Sequence, residues 1–209
     1  MYRLFLCVVC WFVVVPANAN NLLVLGDSLS AAYGIEVEQG WVALLQKKLQ
    51  SEGRDIQVVN ASISGETTAG GVSRLPALLD TYNPKWVLIE LGANDGLRGL
   101  PLDLAKQNLA ALIEASQAKQ AKVMLLGMRI PPNYGPTYSR RFYAMYGDLA
   151  KTYQTDLVPF LLQDVALRPD LIQDDQLHPT AQAQPFLLDQ VWRRLQPFLS
   201  QTRAPESTP

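Results

Sequence analysis

A hydroxyl, an imidazole and a carboxylate acting together can break an acyl bond without a metal, and this sequence contains a single imidazole. His178 is the only histidine, and it lies in Asp174-Asp175-Gln176-Leu177-His178-Pro179. A serine hydroxyl is a weak nucleophile until a neighbouring base takes its proton, and near neutral pH that base is usually histidine. Any serine–histidine couple in this chain must therefore use His178. An acid three residues earlier can reach Nδ1 through a tight turn, hold the tautomer and stabilise the imidazolium formed during reaction. Spacing favours Asp175, with Asp174 as its rival. Pro179 biases His178 away from helical backbone, which suits such a turn. Taken alone, a single histidine is more often a structural or merely exposed residue of an acidic loop.

The matching hydroxyl is Ser28, in Gly26-Asp27-Ser28-Leu29-Ser30. By itself this segment reads as a turn and helix cap. It is not the Gly-x-Ser-x-Gly elbow, because Ser30 stands where the second glycine belongs. Two further segments gather small and polar residues: Asn60 to Thr68, which contains Gly65, and Gly92-Ala93-Asn94-Asp95. Gly65 and Asn94-Asp95 have plain readings as a turn former and a cap. Glu66 and Asp95 form a possible carboxylate pair, but no spacing favours glycosidase chemistry.

The elements that must position these residues alternate. Apolar runs at Asn21–Leu25, Ile56–Asn60, Trp86–Leu91, Val123–Leu126 and Leu157–Phe160 read as five buried strands. Pro159 points to an edge position for the fifth. Helical spacing follows each: Trp41–Leu49, Thr67–Leu79 (weakened by Gly70, Gly71 and Pro76), a helix capped by Asp103 and running through Ser116, Phe142–Tyr153, and Leu188–Leu199. The aromatic face of Phe142–Tyr153 reads as core. Alternation of this kind implies an α/β fold with a parallel sheet covered on both faces. Such sheets bind ligands beyond the carboxyl ends of their strands, which is where Ser28, Gly65 and Asn94 lie.

Composition narrows the function. The chain has 209 residues, 48% hydrophobic and 18% charged, with a net charge of -1. That suits one globular domain and excludes the broad basic footprint of a nucleic-acid binder. Repeats and a Gly-x-x-x-x-Gly-Lys phosphate loop are absent. The first residues differ from the rest: Arg3, an apolar run from Leu4 to Val15, then Pro16-Ala17-Asn18-Ala19. This pattern reads as a secretory signal peptide over 1–19, cleaved after Ala19, since a membrane-spanning helix needs about 20 apolar residues. Cys7 and Cys10 both fall inside it, so the mature chain is expected to hold no disulfide and no thiol nucleophile. The domain is expected over 20–199, followed by a disordered tail at 200–209.

Four blocks in this order carry a specific likeness. Gly26-Asp27-Ser28-Leu29-Ser30, Gly65, Gly92-Ala93-Asn94-Asp95 and Asp175-Gln176-Leu177-His178-Pro179 resemble the blocks of the SGNH, or GDSL, hydrolases, and the likeness spans Asn20 to Leu199. One departure is Gln176, where glycine is common; its side chain is expected to face solvent. The resemblance implies a flavodoxin-like three-layer α/β/α sandwich with a five-stranded parallel sheet. It implies that Ser28 attacks the acyl carbonyl, that His178 is the base and Asp175 its orienting acid. It implies an oxyanion hole made by the N–H groups of Ser28 and Gly65 and the Asn94 amide.

The activity implied is hydrolysis of acyl esters and thioesters, including aryl esters and lysophospholipids, in the periplasm or outside the cell. No cofactor, metal, nucleic acid or stable membrane anchor is expected, and the chain is expected to be a monomer. A carbohydrate O-acetyl esterase and a non-catalytic periplasmic binding protein are the alternatives. Leu97, Leu100, Ile130, Pro131 and Leu177, with Tyr134 weaker, are the expected walls of an acyl groove. The glycines of Gly96 to Pro101 would allow that loop to close.

Overall fold

The computed structural model describes residues 20–200. The expected leader at 1–19 lies outside them, as does the expected tail beyond Ser200. Among these residues five strands form one sheet: β1 (Asn21–Gly26), β2 (Gln57–Asn60), β3 (Trp86–Glu90), β4 (Lys122–Leu126) and β5 (Asp156–Val158). All pairings are parallel and the order is β2-β1-β3-β4-β5. Among the described residues six α-helices connect and cover them: α1 (Trp41–Ser51), α2 (Thr68–Tyr82), α3 (Ala93–Leu97), α4 (Leu102–Ala118), α5 (Pro136–Tyr153) and α6 (Gln184–Ser200). Helices α1 and α6 pack together on one face, and α2, α4 and α5 pack side by side on the other. The three-layer α/β/α architecture follows.

The central strands β1, β3 and β4 carry apolar runs because both their faces are covered. Leu22 to Leu25, Val87 to Ile89 and Met124 to Leu126 are all fully enclosed. β5 is an edge strand and stops at Val158, and Pro159, which has no N–H for the ladder, follows it directly. Phe142, Met145, Tyr146 and Leu149 of α5 are buried, as an apolar stripe at helical spacing requires.

Two local details differ from expectation. Asp103 does not cap α4: Pro101 occupies the cap position, and Asp103 sits in the first turn and pairs with Arg141 at 3.0 Å. A carboxylate there still faces the positive end of the helix dipole. α2 continues past Pro76 to Tyr82, because Leu75 and Leu79 bury against the sheet and outweigh one lost helical hydrogen bond.

The chain leaves β1 for β2 on one side and then crosses back to β3 on the other. That reversal opens a crevice beyond the carboxyl ends of β1 and β3. Central strands hold that crevice rigid, so replacing Leu88 of β3 with Ala should cost about 2–5 kcal/mol in urea unfolding, without loss of activity in the fraction that remains folded.

Candidate active site

Ser28 follows β1 in a tight turn whose N–H groups are held from below. The Asp27 carboxylate accepts from the Leu29 N–H at 3.1 Å and the Asn94 side-chain amide at 3.0 Å. Asn94 is the second residue of α3, directly beyond β3, so the switch point of the sheet brings the first and third blocks together. Gly65 comes from the loop after β2. Its φ of +79° is the left-handed conformation that glycine adopts without penalty. The Arg98 guanidinium donates to the Gly65 carbonyl at 2.9 Å. Among the described residues, no protein acceptor takes the backbone N–H of Ser28 or Gly65, and both residues line one cavity with Asn94.

His178 arrives from the far end of the chain. Its Nε2 lies 2.9 Å from Ser28 Oγ and its Nδ1 2.6 Å from Asp175 Oδ2. A carboxylate only accepts, so the proton belongs on Nδ1, and Nε2 is left to accept from the serine hydroxyl. The other Asp175 oxygen accepts from the N–H groups of Leu177 and His178, both at 2.9 Å. Those bonds, led by the one from the His178 N–H, hold the Asp175 carboxyl down at about 2. Asp175 therefore stays ionised across the neutral and mildly acidic range. Stability drawn from its anion is present above the ordinary value of 3.8 and is lost only as pH falls toward about 2. Asp174 is exposed; Asp175 is the acid that reaches the imidazole. Gln176 is exposed at φ +60°, a left-handed position that accounts for the usual glycine.

Sequence reasoning missed the brace that aligns the two loops. Gln173 Nε2 donates to the carbonyls of Tyr33 and Pro179, each at 2.9 Å, and the Gln173 N–H donates to the His178 carbonyl at 2.7 Å. One side chain thus ties the serine loop to the histidine loop. The Tyr33 ring lies over the imidazole with ring centroids 4.4 Å apart. The other acids of the region serve the scaffold. Asp95 accepts from the Thr68 N–H and hydroxyl at 2.9 and 2.7 Å, and Glu66 pairs with Arg74 at 2.7 Å. They do not form a carboxylate pair.

The cavity beside Ser28 holds about 260 Å³. Leu97, Ile130, Pro131 and Leu177 line it, and so do Leu29, Tyr33, Met128 and Leu162, whose sequence positions carried no signal beyond apolarity. Leu100 and Tyr134 do not line it. Both are used in the loop instead: the Tyr134 hydroxyl donates to the Leu97 carbonyl at 2.7 Å, and the Leu100 carbonyl accepts from Tyr138 at 2.9 Å. Among the described residues no cluster of His, Cys, Asp or Glu suits a metal ion.

A hydroxyl, imidazole and carboxylate in series beside a ring of N–H donors, on a flavodoxin-like sheet, define a serine hydrolase by architecture. The GDSL-like lipase/acylhydrolase family matches residues 24–184, and the chain belongs to that family. Esterase TesA of Pseudomonas aeruginosa is 51% identical over 193 residues, covering 92% of this chain and 96% of the relative. Thioesterase 1/protease 1/lysophospholipase L1 of Escherichia coli K12 is 46% identical over 184 residues, covering 88% and 87%. Among solved structures, the psychrotrophic esterase EstA of a Pseudoalteromonas species, inhibited by monoethylphosphonate, superposes with a TM-score of 0.84 at 48% identity, covering 87% of this chain and all of that one.

The Gln173 brace sets the spacing between nucleophile and base. Gln173→Leu should lower kcat by about tenfold with little change in KM, because small displacements of reacting groups are costly; steady-state kinetics on a p-nitrophenyl ester read the split.

Proposed function

We propose that this protein is a serine esterase that hydrolyses acyl esters and thioesters of apolar acyl groups through an acyl-enzyme on Ser28. The observation that carries the reading is the unbroken series Ser28 Oγ, His178 and Asp175, with contacts of 2.9 and 2.6 Å. His178 Nε2 removes the Ser28 proton as Oγ bonds to the carbonyl carbon. The carbonyl π electrons move to oxygen, and the N–H groups of Ser28 and Gly65 and the Asn94 amide stabilise that oxyanion. Collapse expels the alcohol or thiol, which takes the proton from His178. Water then repeats the sequence: His178 accepts its proton, hydroxide adds to the acyl carbon, and Ser28 leaves with the proton returned.

Two roles follow from charge. Asp175, ionised and fixed by two backbone N–H groups, stabilises the imidazolium. Asn94 donates without carrying charge, so it does not compete for the His178 proton.

The substrate class follows from the cavity walls. Leu97, Met128, Ile130, Pro131, Leu162 and Leu177 offer an acyl chain an apolar wall. Its volume is just under the ~300–1,000 Å³ of small-molecule sites, which suits short to medium chains. An acetylated sugar would find few polar partners there. The names of the relatives, esterase and thioesterase 1/lysophospholipase L1, support the same class. The apolar leader at 1–19 supports export to the periplasm or beyond, and no helix among the described residues is long and apolar enough to cross a membrane.

A fluorophosphonate probe should label the wild type, and Ser28→Ala should abolish both labelling and turnover. Labelling unchanged in Ser28→Ala would end the assignment. Asn94→Ala should lower kcat by about 10²–10³ with Ser28 intact. Across p-nitrophenyl esters from acetyl to palmitoyl, kcat/KM should peak at short to medium chains; a strong preference for acetylated sugars over all of these would favour the carbohydrate esterase.

A further inference from the structure

Beneath the nucleophile turn lies a pair of acids that the reaction above does not use. Glu90 ends β3 and has no exposed surface, and Asp27 is 1% exposed. Glu90 Oε2 accepts from the Asp27 N–H at 3.2 Å and the Ser30 hydroxyl at 2.8 Å. Glu90 Oε1 is buried and meets no donor among the described residues. The bond from the Asp27 N–H sets the two buried acids side by side, and the charge of Asp27 adds to burial in raising the Glu90 carboxyl. Gly26 makes this possible: a Cβ there would stand 2.8 Å from Glu90 Oε2 and equally close to Ser30. The glycine before Asp27 therefore opens the space that lets Glu90 reach under Ser28.

Two carboxylates removed from water with no cation between them do not both ionise. Each Asp27 oxygen already accepts an N–H, from Leu29 and from Asn94, which favours the anion at Asp27. Glu90 is the more enclosed, and a proton on Oε1 converts an unsatisfied acceptor into a donor toward Asp27. We propose that Glu90 is a positioning residue of the oxyanion hole: held as a neutral acid, it donates to the Asp27 carboxylate, which in turn fixes the Asn94 amide with one N–H on Asp27 and the other facing the reacting carbonyl. The inference rests on Asn94 acting as an oxyanion donor, as read above.

The carboxylate matters because an amide has two faces. Ionised Asp27 accepts only, so it selects the NH₂ of Asn94. A protonated Asp27 can instead donate to the Asn94 oxygen and turn that oxygen toward the substrate, where it would repel the developing charge. Burial raises the Asp27 carboxyl from 3.8 to about 6 and Glu90 well above its usual range. The other titratable groups around the pair are His178, Asp95 and the enclosed Tyr146 phenol of α5. With a raised carboxyl, the neutral form is favoured by the fold, so Asp27 takes up its proton as pH falls through about 6 and the hole loses its orientation.

The test compares Asp27→Asn, Glu90→Ala and Glu90→Gln by kcat, KM and pH profile on p-nitrophenyl butyrate, with circular dichroism to confirm folding. Asp27→Asn and Glu90→Ala should each lose about tenfold or more in kcat with KM within about twofold. Glu90→Gln, whose amide can donate in place of the acid proton, should recover most of the Glu90→Ala loss. Full kcat in Asp27→Asn, or Glu90→Gln as impaired as Glu90→Ala while folded, would overturn the proposal.

Infrared difference spectra of the wild type with ¹³C-labelled glutamate decide the matter even if a variant fails to fold. A protonated-carboxylic-acid band at neutral pH supports it, and only carboxylate bands would sink it. Failure of Ser28 labelling would instead sink the underlying reading and leave the infrared result intact.

Discussion

A hydrogen bond of 2.9 Å joins Ser28 to His178 across 150 positions of sequence. Everything else in the molecule bears on whether that contact forms. A parallel sheet sends all its carboxyl ends to one edge, so loops far apart in the chain emerge side by side. The β1–β3 switch point separates the first loop from its neighbours and leaves a crevice above it. The central strands, apolar on both faces, give that edge a rigid base. The chain reaches His178 only after all five strands are laid down, and the Ile172–Pro179 bridge together with Gln173 returns it to the Tyr33 loop.

Three acids close to the reacting atoms carry out different work because they stand in different surroundings. Asp175 is exposed and bonded by backbone N–H groups, so it stays an anion at the open side of His178. Asp27 and Glu90 are enclosed, and among the described residues no lysine or arginine pairs with either, so burial makes their ionisation costly. Environment, more than residue type, divides anion from neutral acid. The arrangement places negative charge on the imidazole side and N–H donors on the carbonyl side, the polarity that acyl transfer needs.

The wall of the cavity follows from the same edge. Leu97 comes from α3, Met128 to Pro131 from the loop after β4, Leu162 from beyond β5 and Leu177 from the histidine loop. A depression built by several successive loops can alter its shape without altering the sheet that holds Ser28. Tyr134 and Tyr138 instead bond the carbonyls of Leu97 and Leu100, which ties the loop after α3 to the start of α5.

Much of this was legible in one dimension. Five apolar runs, helical spacing between them and small polar residues at the strand ends are local properties, and local physics decides them: a strand covered on both faces must be apolar throughout, and an amphipathic helix must repeat every 3.6 residues. A single histidine left one possible base, and the turn around Asp175 is short enough to read from spacing. Partners distant in sequence were not legible. Gln173 has no pattern that marks it as a brace, and Glu90 looks like a strand-ending polar residue until Gly26 is seen to make room for it. Leu100 and Tyr134 have the right chemistry for a groove wall, but both are exposed and lie outside the cavity, where the Leu100 carbonyl and the Tyr134 hydroxyl make loop hydrogen bonds. The sequence by itself determined which residue types were available and which backbone each stretch would adopt, because those depend on neighbours along the chain. Which of them meet, at what distance and in what charge state, was decided by the tertiary structure, since hydrogen bonding and desolvation depend on atoms brought close in space.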